Sequence, residues 1–134
     1  MSALSGHCHC GASRWSYRGD PGSVTACNCT MCRRYRVLWI YDWHGDRITV
    51  TGPLKDNIRA DGGALAFRFC PHCGAMVQWR ARKPNDAGVH ASAGNLRLVE
   101  EPDAVMGLPI DHFAGLDRFD DLPRDGRCVR DMWF

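Results

Sequence analysis

The placement of cysteine limits this chain more than any other feature. Seven of its eight cysteines fall in three tight clusters: Cys8-His9-Cys10, Cys27-Asn28-Cys29-Thr30-Met31-Cys32 and Cys70-Pro71-His72-Cys73-Gly74. Only Cys128 stands alone. Two thiols on one short turn lose little further entropy when an ion joins them. The same neighbours make poor disulfides, whose geometry is restrictive. The pattern therefore predicts metal chelation, and zinc is the metal that thiolate-rich sites most often hold.

Cys70-x-x-Cys73 followed by Gly74 has the form of a zinc knuckle. Pro71 stiffens the turn, and Gly74 allows a positive φ while backbone N–H groups approach the sulfurs. A knuckle supplies two ligands and a structural zinc takes four, so a second pair must come from Cys8 and Cys10 or from the middle cluster. The middle cluster holds three thiols, the number that leaves a catalytic zinc one open position. Coordination number thus favours a closed site of Cys8, Cys10, Cys70 and Cys73 and an open site of Cys27, Cys29 and Cys32, two zinc ions per chain. Spacing alone does not dictate which clusters meet. A purely structural second site completed by His7, His9, His44, His72, His90 or His112 is the competing arrangement.

The chain has 134 residues, which argues for one domain spanning residues 1–134. Its formal charge of +2 assumes neutral thiols. Seven thiolates on two zinc ions carry about −3, which brings the chain near neutrality and weighs against nucleic acid as a partner. No stretch has the length or hydropathy of a membrane helix, and the first residues lack the basic and apolar regions of a secretory signal. Reduced thiols and these absences together predict a cytoplasmic protein with no membrane partner.

Short alternating stretches predict a mainly β fold. Strands are expected over 13–18, 37–43, 47–51, 64–69 and 75–80, with further candidates at 89–91 and 96–99. Gly19-Asp20-Pro21-Gly22, His44-Gly45-Asp46 and Asp61-Gly62-Gly63 read as turns. A short helix is expected from Glu101 to Met106, with irregular structure beyond it.

With these residues laid out, the chain resembles the glutathione-dependent formaldehyde-activating enzyme family, which includes centromere protein V. The resemblance lies in Gly6-x-Cys8-x-Cys10-Gly11, Ala26-Cys27-x-Cys29-x-x-Cys32-Arg33 and Arg68-Phe69-Cys70-x-x-Cys73-Gly74, with Trp133 similar to a tryptophan near the family's C-terminus. It implies a β-tent of small antiparallel sheets with zinc-knuckle turns and a short irregular or helical C-terminal segment. It also implies a structural zinc on Cys8, Cys10, Cys70 and Cys73 and a catalytic zinc on Cys27, Cys29 and Cys32. The implied activity is that of a carbon–sulfur lyase, interconverting S-hydroxymethylglutathione with glutathione and formaldehyde. Arg33-Arg34-Tyr35-Arg36-Val37-Leu38 departs from the smaller residues usual after the third cysteine.

Glutathione is anionic, and Arg33 and Arg34 are the expected contacts for its carboxylates. Arg36 and Arg68 are further cations near the clusters. Trp39, Tyr41 and Trp43 share one face of a strand, which fits a β core or a pocket wall. No general acid or base stands out, His44 and His90 being candidates by residue type alone. Three other readings compete: a non-enzymatic zinc module that binds protein, a methionine sulfoxide reductase using Cys128, and a nucleic-acid-binding zinc ribbon. The reductase lacks its C-x-x-C first pair here, and the ribbon lacks a basic stripe.

Overall fold

The computed structural model describes residues 3–60 and 62–134. In chain order the strands are β1 (Ala3–His7), β2 (Arg14–Arg18), β3 (Val24–Cys27), β4 (Leu38–Asp42), β5 (Ile48–Thr51), β6 (Lys55–Ile58), β7 (Leu65–Phe69), β8 (Met76–Ala81), β9 (Ser92–Asn95), β10 (Ile110–Ala114) and β11 (Asp120–Leu122). One helix, α1 (Cys32–Tyr35), sits between β3 and β4. The strands form a three-stranded sheet in the order β1-β2-β5 and an eight-stranded sheet in the order β11-β10-β3-β4-β9-β8-β7-β6. All pairings are antiparallel except β10 with β3, which run parallel. The fold is mainly β, as the alternating pattern predicts.

β4 explains how the layers assemble. Leu38 and Ile40 point into a core shared with Trp15, Tyr17, Val24, Val77, Leu96 and Ile110. Trp39 points the opposite way, into a second core with Val37, Phe67, Met76, Trp79 and Ala93. A strand buried on both faces reads as a near-continuous apolar run, and Leu38-Trp39-Ile40-Tyr41 is one. Trp15 on β2 links the two sheets: its Nε1 donates to the Asn95 backbone oxygen at 3.1 Å, and its ring covers Gly6, where a Cβ would lie 2.5 Å away.

The expected strands at 13–18, 37–43, 47–51, 64–69 and 75–80 are present with boundaries shifted by a residue or two. Four expectations are corrected. Residues 89–91 form no strand; β9 begins just after them. Residues 96–98 are a 3-10 helix, because the Asn95 side chain accepts the Arg97 N–H at 3.1 Å and turns the chain out of the sheet. The helix expected from Glu101 shrinks to a 3-10 turn at Pro102–Ala104. The segment expected to be irregular instead carries β10, β11 and a 3-10 helix at Val129–Met132. Asp61 of the expected turn lies outside the described residues; Gly62 follows with φ +80°.

The turn after β4 depends on one buried carboxylate. Asp42 Oδ1 accepts the Gly45 N–H at 2.8 Å and the Asp46 N–H at 3.3 Å, and Oδ2 accepts those of Arg47 and Ile48 at 2.9 Å each. Burial works against the charge, but these four donors outweigh it and hold the carboxyl below its ordinary value. Asp42→Ala would remove the shared acceptor of these four part-buried donors and is expected to cost about 1–3 kcal/mol of stability, with Asp42→Asn costing less. Chemical unfolding of the metal-loaded variants measures both.

Candidate metal centres

The three clusters collapse into two groups of sulfurs. Cys8, Cys10, Cys70 and Cys73 form one and Cys27, Cys29 and Cys32 the other, each with its sulfurs within 4.8 Å of one another. Among the described residues no histidine, aspartate or glutamate joins either group.

The four-cysteine group joins two turns far apart in sequence. Cys8 and Cys10 lie on the turn between β1 and β2, and Cys70 and Cys73 on the turn between β7 and β8. Each turn folds back on itself. Gly11 N–H donates to Cys8 O at 3.0 Å and Gly74 N–H to Cys70 O at 2.9 Å, with Gly11 and Gly74 at φ +83° and +78°. Nothing crowds a Cβ at either glycine, so backbone conformation is what selects them. Cys8 Sγ lies 3.6 Å from Cys10 Sγ, and Cys10 Sγ 3.7 Å from Cys70 Sγ. A tetrahedron of sulfurs at the usual Zn–S distance has edges of about 3.8 Å, so the donors fit zinc. Ser13 N–H donates to Cys8 Sγ at 3.3 Å. Burial opposes ionisation of Cys70, but hydrogen bonds led by the Cys73 N–H bring it down to about 6.

The three-cysteine group runs from the end of β3 into α1. Backbone donors already serve its sulfurs. Cys29 N–H reaches Cys27 Sγ at 3.4 Å and Cys32 N–H reaches Cys29 Sγ at 3.2 Å. Trp39 Nε1 donates to Cys32 Sγ at 3.3 Å. Trp39 is thus part of the core, as one of the two expected readings had it, and also supports a sulfur; it does not line the cleft described below. Gly115, after β10, makes room: a Cβ there would lie 2.5 Å from Cys27 Sγ. Without a cation the crowded thiols divide unequally. Hydrogen bonds from Cys27 and then Cys32 lower Cys29 to about 2. The contact with Cys29, with burial, pushes Cys27 up, and those with Cys27 and Cys29, with burial, push Cys32 up. A cation removes that conflict by letting all three ionise.

Cys27 and Cys32 border a cleft of about 390 Å³, a size typical of small-molecule sites. A row of paired residues crosses four strands along one wall: Leu122, His112, Ala26 and Leu38. Arg33 and Arg36 come from the α1 side, and Arg97, Arg127 and Met132 complete the rim. Arg33 pairs with no carboxylate among the described residues. Arg34 does not line the cleft; its Nη1 donates to Thr30 O at 2.8 Å. Arg68 is turned to Asp56 at 3.0 Å. Arg97 acts as a clamp, its Nη1 and Nη2 donating to the Trp133 and Met132 oxygens at 2.9 and 2.6 Å while Nε meets Arg36 O. Its guanidinium also lies over the Trp133 ring, 5.7 Å from the centroid. His90 Nδ1 is engaged by Ala81 O at 2.8 Å, and His44 is exposed outside this cleft. Cys128 caps the C-terminal 3-10 helix and joins neither sulfur group.

The family described as glutathione-dependent formaldehyde-activating enzyme matches residues 3–107. The chain belongs to that family. Among solved structures, a Rhodobacter sphaeroides protein is similar to the chain. It shares 18% sequence identity at a TM-score of 0.58, over 79% of this chain and 98% of that one. At that identity the likeness speaks for the fold. No curated protein matches the chain.

Two sulfur groups of unequal denticity give two expected results. Stepwise chelation of the zinc-loaded protein is expected to release metal in two phases, the three-cysteine group first. Trp39→Phe removes one donor to a ligand sulfur and is expected to weaken the labile phase about tenfold while leaving the tight phase unchanged; competition with a chromophoric chelator reads both.

Proposed function

We propose that this family member is a zinc-dependent carbon–sulfur lyase acting on a thiol–aldehyde adduct such as S-hydroxymethylglutathione. Cys8, Cys10, Cys70 and Cys73 hold a structural zinc, and Cys27, Cys29 and Cys32 a catalytic zinc with one position open to the thiol. The observation that carries this reading is the contact between the three-sulfur group and a cleft rimmed by guanidinium groups. When bound there, zinc supplies a soft Lewis acid that favours a thiolate over a neutral thiol.

The protein's own groups have separate tasks. Arg33, unpaired by any described carboxylate, is placed to take a carboxylate of the tripeptide inside the cleft. Arg34, tied to Thr30 one position further on, is the outer contact. Phe113, paired with Cys27, is placed to exclude water from the sulfurs. Because the cleft draws on residues from Ala26 to Met132, residues 1–134 act as one zinc-binding domain in this account. Thiolate ligands and a thiol substrate fit the reducing cytoplasm. Among the described residues, no helix is long and apolar enough to cross a membrane.

Cobalt substitution tests the open position. Glutathione is expected to change the absorption bands of one of two bound cobalt ions, and an alcohol of similar size to change neither. Arg33→Ala is expected to weaken glutathione about tenfold, more than it weakens an uncharged thiol, with Arg34→Ala having a smaller effect. Bands indifferent to every thiol would favour a protein-binding zinc module over the lyase.

A further inference from the structure

The hairpin between β10 and β11 lies directly on the three-cysteine group. A Cβ on Gly115 would come within 2.5 Å of Cys27 Sγ, 3.0 Å of Cys29 Cβ and 3.6 Å of Phe113 Cδ2. Two hydrogen bonds lace the hairpin to Asn28, inside the metal loop. Asn28 N–H donates to Phe113 O at 3.2 Å, and Asn28 Oδ1 accepts the Leu116 N–H at 3.0 Å. Phe113 pairs with Cys27, so its side chain shares the face on which the sulfurs gather. The Phe119 ring packs edge-on against Phe113, with centroids 5.0 Å apart at 85°.

Folding does not account for Phe119. Its N–H closes the hairpin on Ala114 O at 2.7 Å, a bond that any residue with a backbone N–H can make. Its φ is +50°, in the left-handed region that glycine and asparagine enter readily and bulky side chains avoid. The residue is 78% exposed, so little burial offsets the strain. A strained and exposed aromatic beside a reactive group is an outlier that points to function. Charge decides which end of a substrate faces it. Asp117, Asp120 and Asp121 crowd the tip against one cation, Arg118, which already lies 3.6 Å from Asp120. An anionic tripeptide is repelled from the tip and drawn to Arg33 in the cleft. What remains for the hairpin is the aldehyde-derived carbon of the adduct.

We propose that Phe119, backed by Phe113, is a specificity-determining residue that seats an apolar or aromatic substituent on that carbon. Resting on the lyase reading above, this makes the substrate a thiol adduct of an apolar aldehyde. The reaction stays balanced. The carbon–sulfur bond breaks with its electron pair on sulfur, the C–O bond becomes a carbonyl, and the hydroxyl proton leaves through water to the thiolate, giving aldehyde and thiol. Formaldehyde carries only hydrogen at that carbon and gains nothing from the rings. Both phenylalanines lie beyond the family-matched residues 3–107.

The test is competition with glutathione for the cobalt-substituted protein, read from the bands that glutathione changes. S-Methylglutathione and S-benzylglutathione differ only in the group on sulfur, and stand for the adducts of formaldehyde and of an aromatic aldehyde. S-Benzylglutathione is expected to displace glutathione at an about tenfold lower concentration. Phe119→Asn is expected to erase that advantage and to melt no lower than wild type, because asparagine tolerates this φ. Phe119→Leu is expected to keep part of the advantage. If Phe119→Asn folds poorly, Phe119→Gly decides, and poor folding of both assigns the ring to the hairpin and overturns the proposal. Three further results overturn it while the lyase reading stands: equal displacement by the two ligands, displacement by neither, or an advantage that survives loss of the ring. The last holds even if that loss dissociates a dimer in sedimentation, which would make a second copy of the chain the occupant. Cobalt bands indifferent to glutathione itself remove the lyase reading, and the apolar seat with it.

Discussion

Mutual repulsion among crowded thiolates, relieved only by a cation, is the constraint on which this fold turns. Four sulfurs from two turns meet at separations near 3.7 Å, a spacing that negative charges tolerate only around a metal ion. Cys10 and Cys70 are 60 residues apart in sequence. Joining them closes a long loop whose entropy the unfolded chain would otherwise retain. The junction also ties the β1–β2 turn of the smaller sheet to the β7–β8 turn of the larger one. Trp15, Tyr17, Leu38, Ile40 and Leu96 then fill the space that this tie encloses.

The second sulfur group depends on the first only indirectly. β3 delivers Cys27, the turn after it delivers Cys29, and the first residue of α1 delivers Cys32. Neighbouring elements complete the cradle: Trp39 of β4 by a hydrogen bond, Gly115 after β10 by its missing side chain. Arg36, in the left-handed region at φ 51°, turns the chain from α1 back into β4, and its backbone oxygen is taken by Arg97. One clamp therefore fixes the end of the metal loop and the C-terminal segment together. That shared anchoring holds the cleft rim beside the three-sulfur group.

The sequence carried the metal chemistry because chelation is local. Each pair of ligands sits on one turn, so spacing is visible without the fold. β4 and β5 were equally visible, since Leu38-Trp39-Ile40-Tyr41 is a continuous apolar run and Arg47-Ile48-Thr49-Val50 alternates. What stayed hidden was long-range. β10 and β11 read as irregular because Ile110-Asp111-His112-Phe113 and Asp120-Asp121-Leu122 mix polar and apolar residues without a period, and their partners are β3 and each other. Leu96 to Val99 looked like a strand, but one capping contact from Asn95 made it a 3-10 helix. Arg97, His112 and Arg127 have no local motif at all. They become part of a site only when the parallel β10–β3 pairing and the C-terminal 3-10 helix bring them to the cleft.

The central claim is that two metal ions occupy the chain with unequal ligand sets. Crystallography with anomalous scattering at the zinc edge tests it most directly. The account predicts two peaks, one enclosed by Cys8, Cys10, Cys70 and Cys73, the other held by Cys27, Cys29 and Cys32 with a single non-protein ligand facing the arginine-rimmed cleft. One peak per chain, or a protein side chain in the fourth position of the second ion, would contradict it.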